Sequence, residues 1–114
     1  MNSKDYAVLA AKTLDNKKGD DILVLDIENR SSIADYFILA SASNERLVGA
    51  LVEQVEDELA KEGLLVKSID GKKESGWILM DYGDLIISVL TVEMREKYNI
   101  EKVWADCDTL VWEE

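Results

Sequence analysis

Carboxylates are the only side chains here that could drive acid–base or metal chemistry. The 114 residues include no His and one Cys, Cys107. The commonest general base and metal ligand is therefore missing. Neither a Ser-His-Asp nor a Cys-His relay can be built, and zinc lacks its usual donors. No G-x-x-x-x-G-K or G-x-G-x-x-G loop occurs to cradle a phosphate. What remains is Asp81 and Asp84 around Gly83, with Asp26 and Asp35 near the ends of apolar runs. Such groups could hold Mg²⁺, which takes a few carboxylates and keeps several waters. A Mg-dependent nucleotidyl transfer would use them in that way. The competing reading is plain turn chemistry, since Asp beside Gly is ordinary turn composition.

A second set of residues suits recognition rather than reaction. Trp77, Arg95, Tyr98, Glu101 and Trp104 fall in one short stretch, and Trp, Tyr and Arg are the types enriched at binding hot spots. If the run from Trp77 is a strand, Trp77, Leu79 and Asp81 share one face, and Ile78, Met80 and Tyr82 share the other. A face carrying Asp needs water, a pairing group or a partner. Trp77 then either meets solvent or a partner, or serves as a partly buried core aromatic. Arg95 is placed to pair with Glu101 or with a strand Asp. Tyr98 and Trp104 would help pack short helices on the sheet.

The elements that must position these residues follow from periodicity. Ser3 is the expected N-cap of a helix over residues 4–15, with Gly19 in its exit turn. Residues 22–27 and 36–40 read as two strands, close enough in sequence for an antiparallel hairpin. A long amphipathic helix over residues 44–62 puts Leu47, Leu51, Val55 and Leu59 on one side, and Gly63 stops it. Residues 65–69 suggest a third strand, followed by a polar loop to Gly76. Residues 77–82 and 85–91 form a hairpin through Gly83-Asp84. A short helix near residues 93–98, a turn near 101–104 and a tail complete the chain. The expected fold is an α/β or α+β sandwich: a mixed five-stranded sheet with packed helices, in the order α-β-β-α-β-β-β then short helices.

Composition bounds the function. The length fits one domain, residues 1–114, and 47% apolar residues fit a soluble globular chain. The formal net charge is −11. It disfavours direct, sequence-specific nucleic-acid binding, which needs a basic surface. It favours a basic protein partner, although solubility alone would also account for it. One Cys allows no internal disulfide, which fits a reducing cytosol. No secretory pattern and no apolar run long enough to span a membrane is present. A cytoplasmic protein is expected.

Taken in order, the motifs resemble the ribosomal silencing factor family, also called RsfS or Iojap-like proteins. The resemblance covers about residues 5–106. It rests on Asp35-Tyr36-Phe37-Ile38, then Ser41-Ala42-Ser43-Asn44-Glu45-Arg46. Gly76-Trp77-Ile78-Leu79-Met80-Asp81-Tyr82-Gly83-Asp84 follows, and Arg95, Tyr98, Ile100, Glu101, Trp104 and Asp106 close the pattern at matching spacings. Two departures stand out. Ile100 replaces the usual Leu, and Ile87-Ser88-Val89-Leu90 replaces the usual Val-His-Val-Phe, which removes any role resting on that imidazole. The resemblance implies a non-enzymatic translation regulator without cofactor. It would bind ribosomal protein fourteen of the large ribosomal subunit and obstruct subunit joining. It also implies a nucleotidyltransferase-like fold without the catalytic carboxylates, and a homodimer in the free state. On that reading Trp77 is the apolar anchor, Tyr98 and Trp104 stand near it, and Asp81 and Glu101 meet basic groups, with Arg95 in the same set. A generic dimeric adaptor is the remaining alternative.

Overall fold

The hairpin around Gly83 organises the fold, because both faces of its second strand are used. The computed structural model describes residues 1–113. Strands β4 (Trp77–Asp81) and β5 (Leu85–Thr91) are antiparallel, paired from Trp77 with Leu90 to Asp81 with Ile86. Gly83 adopts φ +91°, and Asp81 Oδ1 accepts the Gly83 N–H at 2.8 Å. This is the local turn bond expected of an Asp two residues upstream.

On its other side β5 runs parallel to β2 (Tyr36–Ala42), every residue of which is buried. Parallel neighbours need a crossover. Here it is α2 (Glu45–Lys61) together with β3 (Ser68–Lys72) and β4. Asn44, rather than a helical residue, caps α2, its Oδ1 accepting the Leu47 N–H at 2.8 Å. Strand β1 (Asp20–Asp26) pairs antiparallel with β2, the hairpin that the short spacing permits.

Three expectations need correcting. The sheet has six strands, in the order β3-β4-β5-β2-β1-β6, not five. The extra one, β6 (Asp108–Thr109), lies where a plain tail is expected and pairs with β1. Its two polar residues give no alternating signal, and Trp112, tucked to 9% exposure, helps hold the segment down. The third strand is displaced from residues 65–69 to Ser68–Lys72. Leu65 is 72% exposed, so the apolar pair that suggested a strand is a connection. Pairing with β4 sets the register instead, from Ser68 with Asp81 to Lys72 with Trp77. Finally, α1 spans Ser3–Asn16 and is capped by Asn2, not Ser3. Asn2 Oδ1 accepts the Asp5 N–H and the Asp5 carboxylate accepts the Asn2 N–H, a reciprocal capping box. The Ser3 hydroxyl donates instead to Asp35 Oδ2 at 3.0 Å, tying the helix start to the approach of β2.

The two faces of the sheet are covered unequally. Helices α1 and α2 close one face over Val24, Ile38, Met80, Ile87 and Val89. Their own contribution includes Ala10, Ala11, Leu14, Leu51, Val55 and Leu59, all fully buried. The other face carries Leu25, Phe37, Leu39 and Leu90. Among the described residues it is covered by the short α3 (Val92–Tyr98), a 3-10 turn at Ile100–Trp104, and Ile27, Ala34 and Cys107 from the connections. Leu79, Asp81 and Ile86 on this face stay half-buried.

Candidate functional site

Alternation along β4 puts Trp77, Leu79 and Asp81 on the thinly covered face, and the burial pattern follows it: half-buried at those three, buried at Ile78 and Met80. Trp77 is held from both sides. Its indole Nε1–H donates to Ser88 Oγ on β5 at 2.7 Å. Its ring packs against Tyr98, the last residue of α3, with centroids 5.2 Å apart and planes tilted by 41°. Tyr98 is half exposed, and the Lys97 ammonium stands 5.6 Å from its ring centroid. Beside this pair opens a cleft of about 390 Å³, lined by Asp70, Gly71, Trp77, Leu79, Met94 and Tyr98. Gly71 belongs there for a steric reason. At φ +93° a Cβ would lie 2.3 Å from the Trp77 carbonyl oxygen, so only glycine lets β3 approach β4 at this point.

Arg95 and Glu101 come together, but in a buried structural role. Arg95 is 7% exposed. Its Nε donates to Glu101 Oε1 at 2.8 Å, and its Nη1 donates to the Asp21 carbonyl at 2.6 Å and to Ser41 Oγ at 2.9 Å. One guanidinium thus ties α3 to β1, to the end of β2 and to the 3-10 turn. Of the two pairings open to Arg95, the structure takes Glu101. The Glu101 side chain keeps 41% exposure, so its carboxylate still faces water. Trp104 does not join the Trp77–Tyr98 pair. It packs on Phe37 with centroids 5.8 Å apart, roofing the other end of the face. Asp81 lies four residues along β4 from Trp77, about 13 Å at strand rise, and remains half-buried beside Leu79 and Ile86.

The carboxylates considered for metal chemistry are dispersed among local tasks. Asp81 holds the turn. Asp26 Oδ1 accepts the Glu28 N–H, and Asp35 accepts from Ser3. Asp84 is exposed, and its backbone carbonyl accepts from the N–H groups of Asp35 and Tyr36. Among the described residues no group of three or more His, Cys, Asp or Glu is placed to share a metal ion. Acidic charge does gather near Tyr36, whose hydroxyl pKa is raised by burial first, then by Glu28, Asp26 and Asp35. No helix among the described residues is long and apolar enough to cross a membrane.

The family model described as "Ribosomal silencing factor during starvation" matches residues 1–114. The chain belongs to the ribosomal silencing factor family. It is 37% identical over 106 residues to the ribosomal silencing factor RsfS of Bacillus subtilis, covering 93% of this chain and 90% of that protein. It is similar to a crystal structure of a protein from Chromobacterium violaceum, with a TM-score of 0.88 and 30% identity, over 92% of this chain and 88% of that one. A more distant mouse relative is named "Mitochondrial assembly of ribosomal large subunit protein 1"; identity is 31% over 74% of this chain and 38% of that protein.

Within this silencing-factor fold the sequence reading missed the residues that hold the recognition set in place. Phe37, Ser41 and the Asp21 carbonyl belong to β1 and β2, far from the aromatic cluster in sequence. Ser88 was the one legible signal, a lone hydroxyl inside Leu85-Ile86-Ile87-Ser88-Val89-Leu90. A buried polar group in such a run needs a partner, and the indole is that partner.

Proposed function

We propose that this chain represses translation by binding the large ribosomal subunit through ribosomal protein fourteen and sterically blocking subunit joining, without catalysis. The observation that carries this reading is the thinly covered sheet face. It presents a pre-positioned Trp77–Tyr98 pair beside an apolar cleft, with a half-buried Asp81 and a Glu101 side chain 41% exposed, on a body of net charge −11. An aromatic anchor rimmed by carboxylates fits a partner that is basic and locally apolar, which is the character expected of a protein that lives against RNA. The names carried by its relatives point the same way: silencing of ribosomes in bacteria and large-subunit assembly in a mitochondrion.

In this reading Trp77 and Tyr98 are the anchors, and Asp81 and Glu101 meet cations of the partner. Arg95 and Trp104 act from behind, Arg95 by aiming Glu101 and Trp104 by seating the 3-10 turn on Phe37. The protein works in the cytoplasm and is a homodimer when free. A Mg-dependent transferase reading has less support, because no group of three or more His, Cys, Asp or Glu among the described residues is placed to share a metal ion.

The test is sedimentation of the purified chain with isolated large and small subunits, followed by a subunit-joining assay. The parent chain should travel with large subunits and slow joining. Trp77→Ala should abolish co-sedimentation, a loss of about 2 kcal/mol or more as is usual for an aromatic anchor, with the far-ultraviolet circular dichroism unchanged. Unaltered co-sedimentation of that variant would remove Trp77 from the site, and unhindered joining in the presence of the parent would overturn the mechanism.

A further inference from the structure

The indole of Trp77 has one polar atom, and the protein has already used it. Nε1–H donates at 2.7 Å to the hydroxyl of Ser88, a residue with no exposed surface. Every neighbour of Ser88 from Leu85 to Leu90 is apolar. Placing a hydroxyl there costs desolvation unless it is bonded, and the indole is the only side chain that bonds it among the described residues. The ring is then closed in from its far side by Tyr98, which ends α3. The hydrogen bond and the ring contact together restrict the orientation of the half-buried indole.

We infer that Ser88 is the positioning residue of the docking surface, and that the partner meets Trp77 through its ring alone. The inference rests on the proposed large-subunit binding. It adds two statements to that reading. Ser88 lowers the ordering cost of binding by fixing the indole beforehand, the general route by which preorganisation raises affinity. The partner group seated on Trp77 is apolar or cationic, since no indole donor is left for a carbonyl or carboxylate, while the ring face attracts cations.

A double-mutant cycle on the full chain tests this, with binding to isolated large subunits and exchange of the ¹⁵N-labelled indole N–H as readouts. Ser88→Ala removes volume and introduces no clash. It should weaken binding about 3- to 10-fold, the range of one net neutral hydrogen bond, mostly through faster dissociation, and should end the slow exchange of the Trp77 indole proton. Trp77→Phe keeps a ring and lacks the donor. It should retain measurable binding where Trp77→Ala does not, and adding Ser88→Ala to it should cost nothing further. Three results would overturn the inference: parent-like binding by Ser88→Ala despite a freed indole, an equal loss from Ser88→Ala when it is added to Trp77→Phe, or Trp77→Phe as inert as Trp77→Ala. If the parent chain itself ignores large subunits, the proposed function fails. The indole exchange then still decides whether Ser88 holds the ring.

Discussion

The two faces of the central sheet are built from the same strands and serve opposite ends. On the face under α1 and α2, side chains such as Ile38, Met80, Leu51 and Leu59 have no exposed surface. On the other, a seven-residue helix and a 3-10 turn leave Trp77, Leu79, Asp81 and Ile86 half-buried. The polar atoms differ as well. The thin face satisfies its own: indole to Ser88, Asp81 to the turn amide, Arg95 to three acceptors. The thick face buries the Tyr82 hydroxyl with no partner among the described residues. Stability is concentrated where burial is complete, and side-chain orientation is specified where burial is partial. A surface that must fit a partner needs its few exposed groups aimed, and hydrogen bonds aim better than apolar packing does.

The contrast is broken most directly by matched truncations. Leu51→Ala in α2 should cost about 3–4 kcal/mol, within the range for a fully buried leucine. Leu79→Ala on β4, half-buried over the cleft, should cost about 1 kcal/mol, in proportion to the area it removes from water. Urea unfolding measures both. Equal costs would mean that the thin face carries as much of the stability as the thick one, and the division between them would fall.

Arg95 sharpens the comparison, since among the described residues it is the one buried charge. Arg95→Met keeps the stem and deletes the guanidinium. It leaves the Asp21 carbonyl and Ser41 hydroxyl without their donor, while Glu101 can turn to water because its side chain is 41% exposed. The loss should therefore be about 2 kcal/mol, below the roughly 3–5 kcal/mol of a pair whose survivor stays buried. It should be accompanied by loosening of the 3-10 turn, read as faster amide exchange over residues 100–104. A purely surface role for Arg95 would leave both readouts unchanged.

Much of this was legible in the sequence, for identifiable reasons. The Leu47, Leu51, Val55, Leu59 stripe could belong to one helix only. Gly83-Asp84 between two apolar runs could only be a hairpin. The alternation of Trp77, Leu79 and Asp81 placed the three on one face, and left open whether Trp77 meets solvent or packs as the partly buried aromatic that the structure shows. What the residues hid were arrangements set by pairing elsewhere. Strand β3 was misplaced because Leu65 and Val66 look like a strand, whereas register is dictated by β4 and by a glycine at Gly71 that a side chain would forbid. The tail strand β6 was invisible because Asp108-Thr109 has no apolar pattern and owes its place to β1 and Trp112. The recognition residues themselves were named as a set, but their division was not. Only the fold separates Trp77 and Tyr98, which meet, from Trp104, which seats on Phe37, and Arg95, which is buried.

Tyr82 offers the gentlest test, at the point where the thick face leaves a polar atom unpaired. Burial, with a smaller push from Glu56, raises its hydroxyl pKa to about 12. The unfolded chain titrates this group near its ordinary value of about 10. A raised folded pKa means that the neutral phenol is the form the native state prefers. Its contribution is therefore intact below about pH 10 and is lost as pH rises towards about 12. Tyr82→Phe removes the titration and the unpaired hydroxyl together. At neutral pH the variant should match the parent or exceed it slightly, since no hydrogen bond is given up. From about pH 9 to about pH 11.5 it should gain on the parent by about 1–2 kcal/mol, the linkage expected for such a shift once solvent screening is allowed for. Lysines ionise alike in both proteins and cancel in the difference. Parallel urea series at the two pH values measure it. A difference that stays constant with pH would show that the Tyr82 hydroxyl reaches water, and that the thick face is less tightly closed than its burial implies.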